Sequence, residues 1–445
     1  MKLKPLVLAL FLATGAAQAA DLLETFRAAQ GNDPVFAAAR AVHQAGLEKL
    51  PQGRSLLLPS VNLNANTTFN DQTVVYQQNF GGGILVANQP YNYRFNTHAY
   101  GVTLVQPLFR QQNWVAFGEA ELQVVQTEAQ FRVAEQDLIL RVAQAYFDVL
   151  MAQDNVDLAV AQKAAISEQL EMAKRNFEVG LATITDTHEA QARYDLTNSQ
   201  EIAARNVLEI KQRALQQLIN TTPEALSALG QGFKLEDPQP ADMEKWVADA
   251  QVVSPQLVIA KAGAEIADKE VDRNRGGHYP TVDLVANYSK NYANGGSFIG
   301  GSDSTNKSVG VQLNMPIFQG GAVNSKWREA EANRDRANEE LENARRSVAT
   351  QTRQAYLGVV SGIAQVKALQ QALTSSKSVL EASKLGQEVG VRTNLDVLNA
   401  QQQLYATRRD LYQAQYSYLL SQLRLKAAVG SLGEDDLNRV NLALH

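Results

Sequence analysis

The sequence contains no cysteine. No disulfide framework and no thiolate metal site can be built from it, so the compartment must be read from other signals. Histidine is nearly as scarce: five residues, at 43, 98, 188, 278 and 445, scattered along the chain. Neither a metal site nor a bound cofactor is expected from them. H-E-x-x-H, G-x-S-x-G and a phosphate-cradling G-x-x-x-x-G-K are all missing, which leaves no catalytic constellation and argues against an enzyme. There is no excess of positive charge either. With 41 Lys and Arg against 46 Asp and Glu the net charge is −5, and no basic patch carries interleaved aromatics. A nucleic-acid partner is therefore not expected. Finally, no stretch supplies the run of about 20 apolar residues that a membrane helix needs. If this chain crosses a bilayer, it does so as strands.

What is present begins with an export signal. Lys2 and Lys4 precede the apolar run Leu6–Leu12, followed by small residues ending Ala17-Gln18-Ala19, the layout of a cleavable signal peptide over residues 1–19. The rest is ordinary for a folded protein, 45% apolar and 20% charged.

The remainder reads as two copies of one unit. Pro34 aligns with Pro255, Pro59 with Pro280 and Asn66 with Asn287 at one offset, 221. Pro107 then aligns with Pro316, and Ala145-Tyr146 with Ala355-Tyr356, at offsets of 209 and 210. The first repeat spans 20–230, with strands at about 60–76 and 91–107 and a helical hairpin at 110–219. A belt at 220–246 follows. The second repeat spans 247–430, with strands at about 281–292 and 305–316 and a hairpin at 319–429, before a tail at 431–445.

The strands are read from a period of two. Val61, Leu63, Ala65, Thr67 and Phe69 alternate with Asn62, Asn64, Asn66 and Thr68; Val309, Val311, Leu313 and Met315 alternate with Ser308, Gly310, Gln312 and Asn314. Ahead of Pro107 the apolar phase changes from odd (Tyr91, Tyr93, Phe95) to even (Val102, Leu104), which predicts a bulge near Tyr100-Gly101. Gly-rich tips are expected at Phe80–Gly83 and Gly295–Gly301. Polar faces of Asn, Ser and Thr, with aromatics near strand ends, suit a membrane barrel with a wet lumen. Four strands cannot close one, so strands must be shared: two copies would give eight, three would give twelve.

The helices are long. Arg110–Glu178 runs 69 residues without proline and Gln319–Glu388 runs 70, about 100 Å each. Shorter returns, Ala182–Ile219 and Arg392–Val429, and entering helices, Pro34–Leu57 and Pro255–His278, would stack end to end beside them. Val366, Leu369, Leu373, Ser376, Leu380 and Ser383 step 3, 4, 3, 4, 3, as do Leu395, Leu398, Gln402 and Tyr405, a coiled-coil seam. Each long helix meets its return at a Val-Gly turn, Val179-Gly180 and Val389-Gly390, with Thr and then Asp186 or Asp396 beyond. Gly supplies the left-handed residue that ends a helix, and Thr or Asp can accept from the free amides of the next.

These paired turns, the segment VRTNLDVLNA at Val391–Ala400, YSYLL at Tyr416–Leu420 with Gln422-Leu423 and the four proline-marked strand ends resemble the TolC family of outer-membrane efflux and secretion channels. The likeness covers about 21–442. It implies a fold mainly α with a membrane β part: a homotrimer whose copies together form a twelve-stranded β-barrel in outer-membrane lipid and a periplasmic α-helical barrel. It implies, as partners, a periplasmic adaptor and an inner-membrane transporter of the resistance-nodulation-division (RND), ABC or major-facilitator (MFS) type. By the same resemblance Asp186, Arg392, Thr185 and Gln387 fall at a gate latch, and Asp396 and Asn399 at a constriction ring. Val179, Gly180, Leu181, Val389, Gly390 and Val391 form adaptor-docking tips. Two positions depart from the family's pattern: Gln387 replaces a Tyr, and Asn399 replaces the ring's second Asp. A secreted coiled-coil scaffold with a small sheet and no pore is the competing reading.

Overall fold

The structure, a computed structural model, describes residues 20–75, 90–222, 225–230, 233–296 and 300–444. The signal segment and the Phe80–Gly83 tip lie outside them. The chain divides into two compact units, Met1–His43 with Glu128–Ile259 and Glu342–His445, and Gln44–Thr127 with Ala260–Leu341.

The second unit holds the sheet, with strands β1 (Ser60–Val75), β2 (Pro90–Phe109), β3 (Thr281–Ala293) and β4 (Ser302–Asn314). All neighbours are antiparallel in the order β1-β2-β3-β4. Toward the Pro59 and Pro280 end, the register places most apolar residues of all four strands on one face. Val61 lies opposite Leu104, which faces Ala286, which faces Val309; Leu284 faces Val311 and Val282 faces Leu313. The rows between them are polar, as in Asn62, Thr103, Asn287, Ser308 and Asn64, Gly101, Ser289, Asn306. A one-residue slip would exchange the two faces, so the pattern fixes the pairing.

The expected bulge is not at Tyr100-Gly101. Pairing of β1 with β2 runs unbroken through both residues, and the one register shift falls at Pro107/Phe109. Proline has no amide to give the ladder, which is why the irregularity sits there. The phase change is in the sequence itself: Tyr91, Tyr93 and Phe95 lie on the face of Thr97 and Ala99, while Asn92, Arg94 and Asn96 take the other, so the apolar residues change faces at this end of β2 without a bulge. In the same unit, Arg110 follows β2 directly and donates Nε and Nη2 to the two carboxylate oxygens of Asp283 at 2.8 and 2.6 Å, tying the β2 end to β3.

Helix α1 (Leu22–Asn32) is an addition to the elements expected from the sequence. The first entering helix is two, α2 (Pro34–Leu47) and α3 (Lys49–Ser55). The long helix α4 (Gln111–Glu178) is followed by α5 (Ile184–Ile219). Helix α6 (Met243–Val253) crosses the expected boundary between the belt and the second repeat, and α7 (Pro255–Arg275) ends in a 3-10 turn, Gly276–His278. The second long helix α8 (Ala322–Glu388) begins after Gly320 and Gly321, both at positive φ, and is followed by α9 (Asn394–Val429) and α10 (Glu434–Asn441). Asp33 caps α2 through Phe36 N at 3.1 Å and also takes Arg141 Nη2 at 2.7 Å.

The core of the first unit gathers Leu22, Phe26, Leu138, Val142, Tyr146, Phe147, Leu215, Val366, Tyr418 and Leu423. On α8 the expected seam is the covered stripe, each of its six residues buried or half-buried. On the first half of α9 only part of it is: Leu398 is buried and Tyr405 half-buried. Leu395 and Gln402 are exposed, and the buried stripe runs Val397, Gln401, Leu404, Thr407, Leu411, Ala414. Polar side chains enter this stripe beside Val397, Leu404 and Leu411, as in the hydroxyl pair of Thr407 with Ser376 on α8 at 3.5 Å.

Candidate functional site: the paired turns

The two turns lie in the first unit and are built alike. Gly180 and Gly390 have φ of 76° and 79°, the left-handed region that costs an L side chain. Gly180 N donates to Phe177 O at 3.0 Å and Leu181 N to Asn176 O at 2.7 Å; Gly390 N donates to Gln387 O at 3.1 Å and Val391 N to Gly386 O at 2.8 Å. Both are Schellman motifs, in which the turn amides satisfy the last helix carbonyls.

Each following helix opens on a capping box. Thr183 Oγ1 accepts from Asp186 N, while Asp186 Oδ2 accepts from Thr183 N at 2.9 Å and from its hydroxyl at 2.7 Å. Thr393 and Asp396 repeat the arrangement with both bonds at 2.9 Å. Each box satisfies two orphan amides and contributes about 1 kcal/mol. The bond from the Thr393 amide, then that from its hydroxyl, then the charge of Arg392 hold the Asp396 carboxyl below the usual carboxylate range. Thr183 is the capping residue; Thr185 is exposed on the first turn of α5.

The structure brings some of the expected site residues together and keeps others apart. Within one chain Arg392 pairs with Asp396, at a loose 3.8 Å, and not with Asp186. Its stem packs over Gly386, where an added Cβ would meet Arg392 Cγ at 2.6 Å. Gln387 Nε2 reaches Asn394 Oδ1 across the turn at 3.4 Å. The tip side chains are bare: Val179, Leu181, Val389 and Val391 are 69, 79, 68 and 77% exposed in the single chain. Below the turns a small cluster of Ile166, Leu170 and Ala173 from α4, Ala190 from α5 and Leu398 from α9 forms a satellite core.

Sequence reading missed Arg193. From α5 its guanidinium reaches α9, donating Nη2 to Asn399 Oδ1 at 3.0 Å and Nη1 to Gln402 Oε1. A lone Arg on a helical surface gives no signal of such a bond. Among the described residues no group of His, Asp or Glu has metal-site geometry.

The model of the "Outer membrane efflux protein" family matches residues 26–221 and again 246–431, once per repeat. The outer membrane protein TolC of Vibrio cholerae serotype O1 is 34% identical over 100% of this chain and 98% of its own length. The alkaline protease secretion protein AprF of Pseudomonas aeruginosa is 33% identical over 95% and 87%. The Campylobacter jejuni CmeC outer membrane channel superposes with a TM-score of 0.76 at 17% identity, over 96% of this chain and 90% of its own. A duplicated unit with a half-apolar sheet, two capped Val-Gly turns, and family and full-length matches across both repeats leave one assignment: the chain belongs to the outer membrane efflux protein family, the TolC family of channels.

Proposed function

We propose that three copies of this exit duct of the outer membrane close a common pore, that the paired turns are its periplasmic gate, and that an adaptor docks on their tips. The observation that carries the reading is the sheet. It has two open outer strands, β1 and β4, and, toward the Pro59 and Pro280 end, one apolar face in register across all four strands. Open edges in lipid are prohibitively costly, so the strands must pair between copies. Three copies supply the twelve strands that the family resemblance implies. The polar face of Asn, Ser, Thr and Gly then lines a wet lumen.

At the turns, Asp396 of each copy contributes one carboxylate to a ring, with Asn399 neutral beside it. Three charges focus counter-ions less than six would, so the channel favours cations weakly. Arg392 lies loosely on Asp396 within its own chain, and the latch with Asp186 and Thr185 forms between adjacent copies, with Gln387 in place of an aromatic hydroxyl. Exposed pairs of this kind are worth about 0–1 kcal/mol each, weak enough for a docked partner to release. Apolar tips 68–79% exposed suit an adaptor that buries them. The adaptor serves a transporter of the RND, ABC or MFS type in the inner membrane.

Planar-bilayer recording tests the ring. Asp396→Asn is expected to lower the K+ over Cl− permeability ratio, and an unchanged ratio would remove Asp396 from the constriction. Arg392→Ser is expected to raise closed-state conductance.

A further inference from the structure

We propose that Arg193 is the specificity-determining and clasping residue of the constriction, a positive charge that joins α5 to α9 and neutralises the position where a second ring carboxylate would act. The inference rests on the placement of Asp396 and Asn399 at the pore. Asp396, Asn399 and Gln402 follow one another at three-residue spacing along α9 and so share one helix face. The guanidinium spans the last two of them, a fork whose two nitrogens meet acceptors one turn apart on the neighbouring helix.

Arg193 makes no ion pair with any described carboxylate, and its partners are both neutral amide oxygens. Its charge is therefore not cancelled where it binds. Within each chain Arg193 thus adds a second cation, beyond Arg392, at the position three residues along the helix face from the single ring anion, Asp396. Asn at 399 has a physical reason in this arrangement. The guanidinium already makes these bonds charge-assisted, and a carboxylate at 399 would add the opposite charge and convert a releasable clasp into an ion pair. A gate that must separate α5 from α9 is served by the weaker acceptor. Restoring an acid at 399 would consequently add little charge to the pore, because Arg193 would hold it.

The test is a two-site cycle on the purified trimer in planar bilayers under a KCl gradient, with trimer retention checked by gel mobility. Arg193→Gln is expected to raise the K+ over Cl− permeability ratio, since Asp396 is then opposed only by the loosely placed Arg392 at 3.8 Å. Asn399→Asp is expected to reduce opening frequency and to raise the ratio only slightly. The same substitution in the Arg193→Gln background should raise it further, with a non-additivity of about twofold or more, the lower range for groups in contact. Arg193→Lys keeps the charge and loses the fork, so it should raise basal conductance while the ratio stays near that of the native channel. Equal gains from Asn399→Asp with and without Arg193 would overturn the proposal, as would an unchanged ratio in Arg193→Gln. Asp396→Asn run alongside separates the two readings. A shift there with an inert Arg193 series refutes the clasp alone; no shift there with an active Arg193 series refutes the Asp396 ring alone.

Discussion

Glu119, on α4, is a charge in the wrong place. It is only 5% exposed, its Oε1 has no hydrogen-bond partner, and Oε2 takes a single bond from Arg273 Nη1 on α7 at 3.2 Å. Burial pushes its pKa up from 4.5 to about 7; Arg273 opposes this and the neighbouring carboxylate of Glu270 reinforces it. A carboxyl raised in the folded state binds a proton that the unfolded chain releases. Its contribution is complete below pH 4.5, falls as pH rises through the interval to about 7, and is gone above it. Acidification across that interval should therefore stabilise this unit by about 1–3 kcal/mol, and Glu119→Gln should flatten the slope. Melting of the purified protein at pH 5 and pH 8 reads both. At the turns, Gly390→Val places a branched side chain at φ 79°, at a cost of about 1–2 kcal/mol or more, although nothing crowds its Cβ. Export should fail with trimers retained, while Gly390→Asn, which tolerates that conformation, should keep more function. Loss of trimers in the valine variant would mean that Gly390 serves folding and not docking.

Among elements, the strands carry the most testable asymmetry. Val311 on β4 faces Leu284 on the apolar side, and its neighbour Gln312 faces Asp283 on the other. Arg at position 311 should cost about 2–4 kcal/mol if that side meets lipid, and Arg at 312 much less. Heat-modifiable mobility of the two variants in outer-membrane extracts gives the comparison. Equal effects would mean that neither face meets lipid. The strands themselves were legible in the chain, because alternation is a local property written residue by residue. The placement of the β2 irregularity was not: Tyr91, Tyr93 and Phe95 look lipid-directed by composition, yet the ladder carries them to the face of Thr97 and Ala99. Part of the covered stripe of α9 was hidden for a related reason, since Thr407 becomes a seam residue only when Ser376 of α8 lies against it.

For the whole molecule, the absence of cysteine becomes useful. A single cysteine on β1 and another on β4 would have no native thiol to compete with. Pairing Asn62→Cys with a cysteine scanned along 306–312 should, at one register, yield covalent dimers and trimers in oxidised membranes, because the two open edges meet between copies. Products that stop at the monomer at every register would mean that the edges do not meet.

The sequence alone determined the duplication, the four strands with their faces, the long helices and the two Val-Gly turns. Each is set by spacing within a few tens of residues or by a repeat offset, and the turn glycines and their Thr-Asp caps act within six residues of one another. Tertiary structure decided which polar groups meet. Arg392 lies on Asp396, four residues on, and not on Asp186, while Arg193 crosses from α5 to Asn399 and Glu119 sits buried against α7, where long charged side chains choose partners more than a hundred residues away. The last two choices depend on how one helix face is turned toward another, and no local period records that rotation.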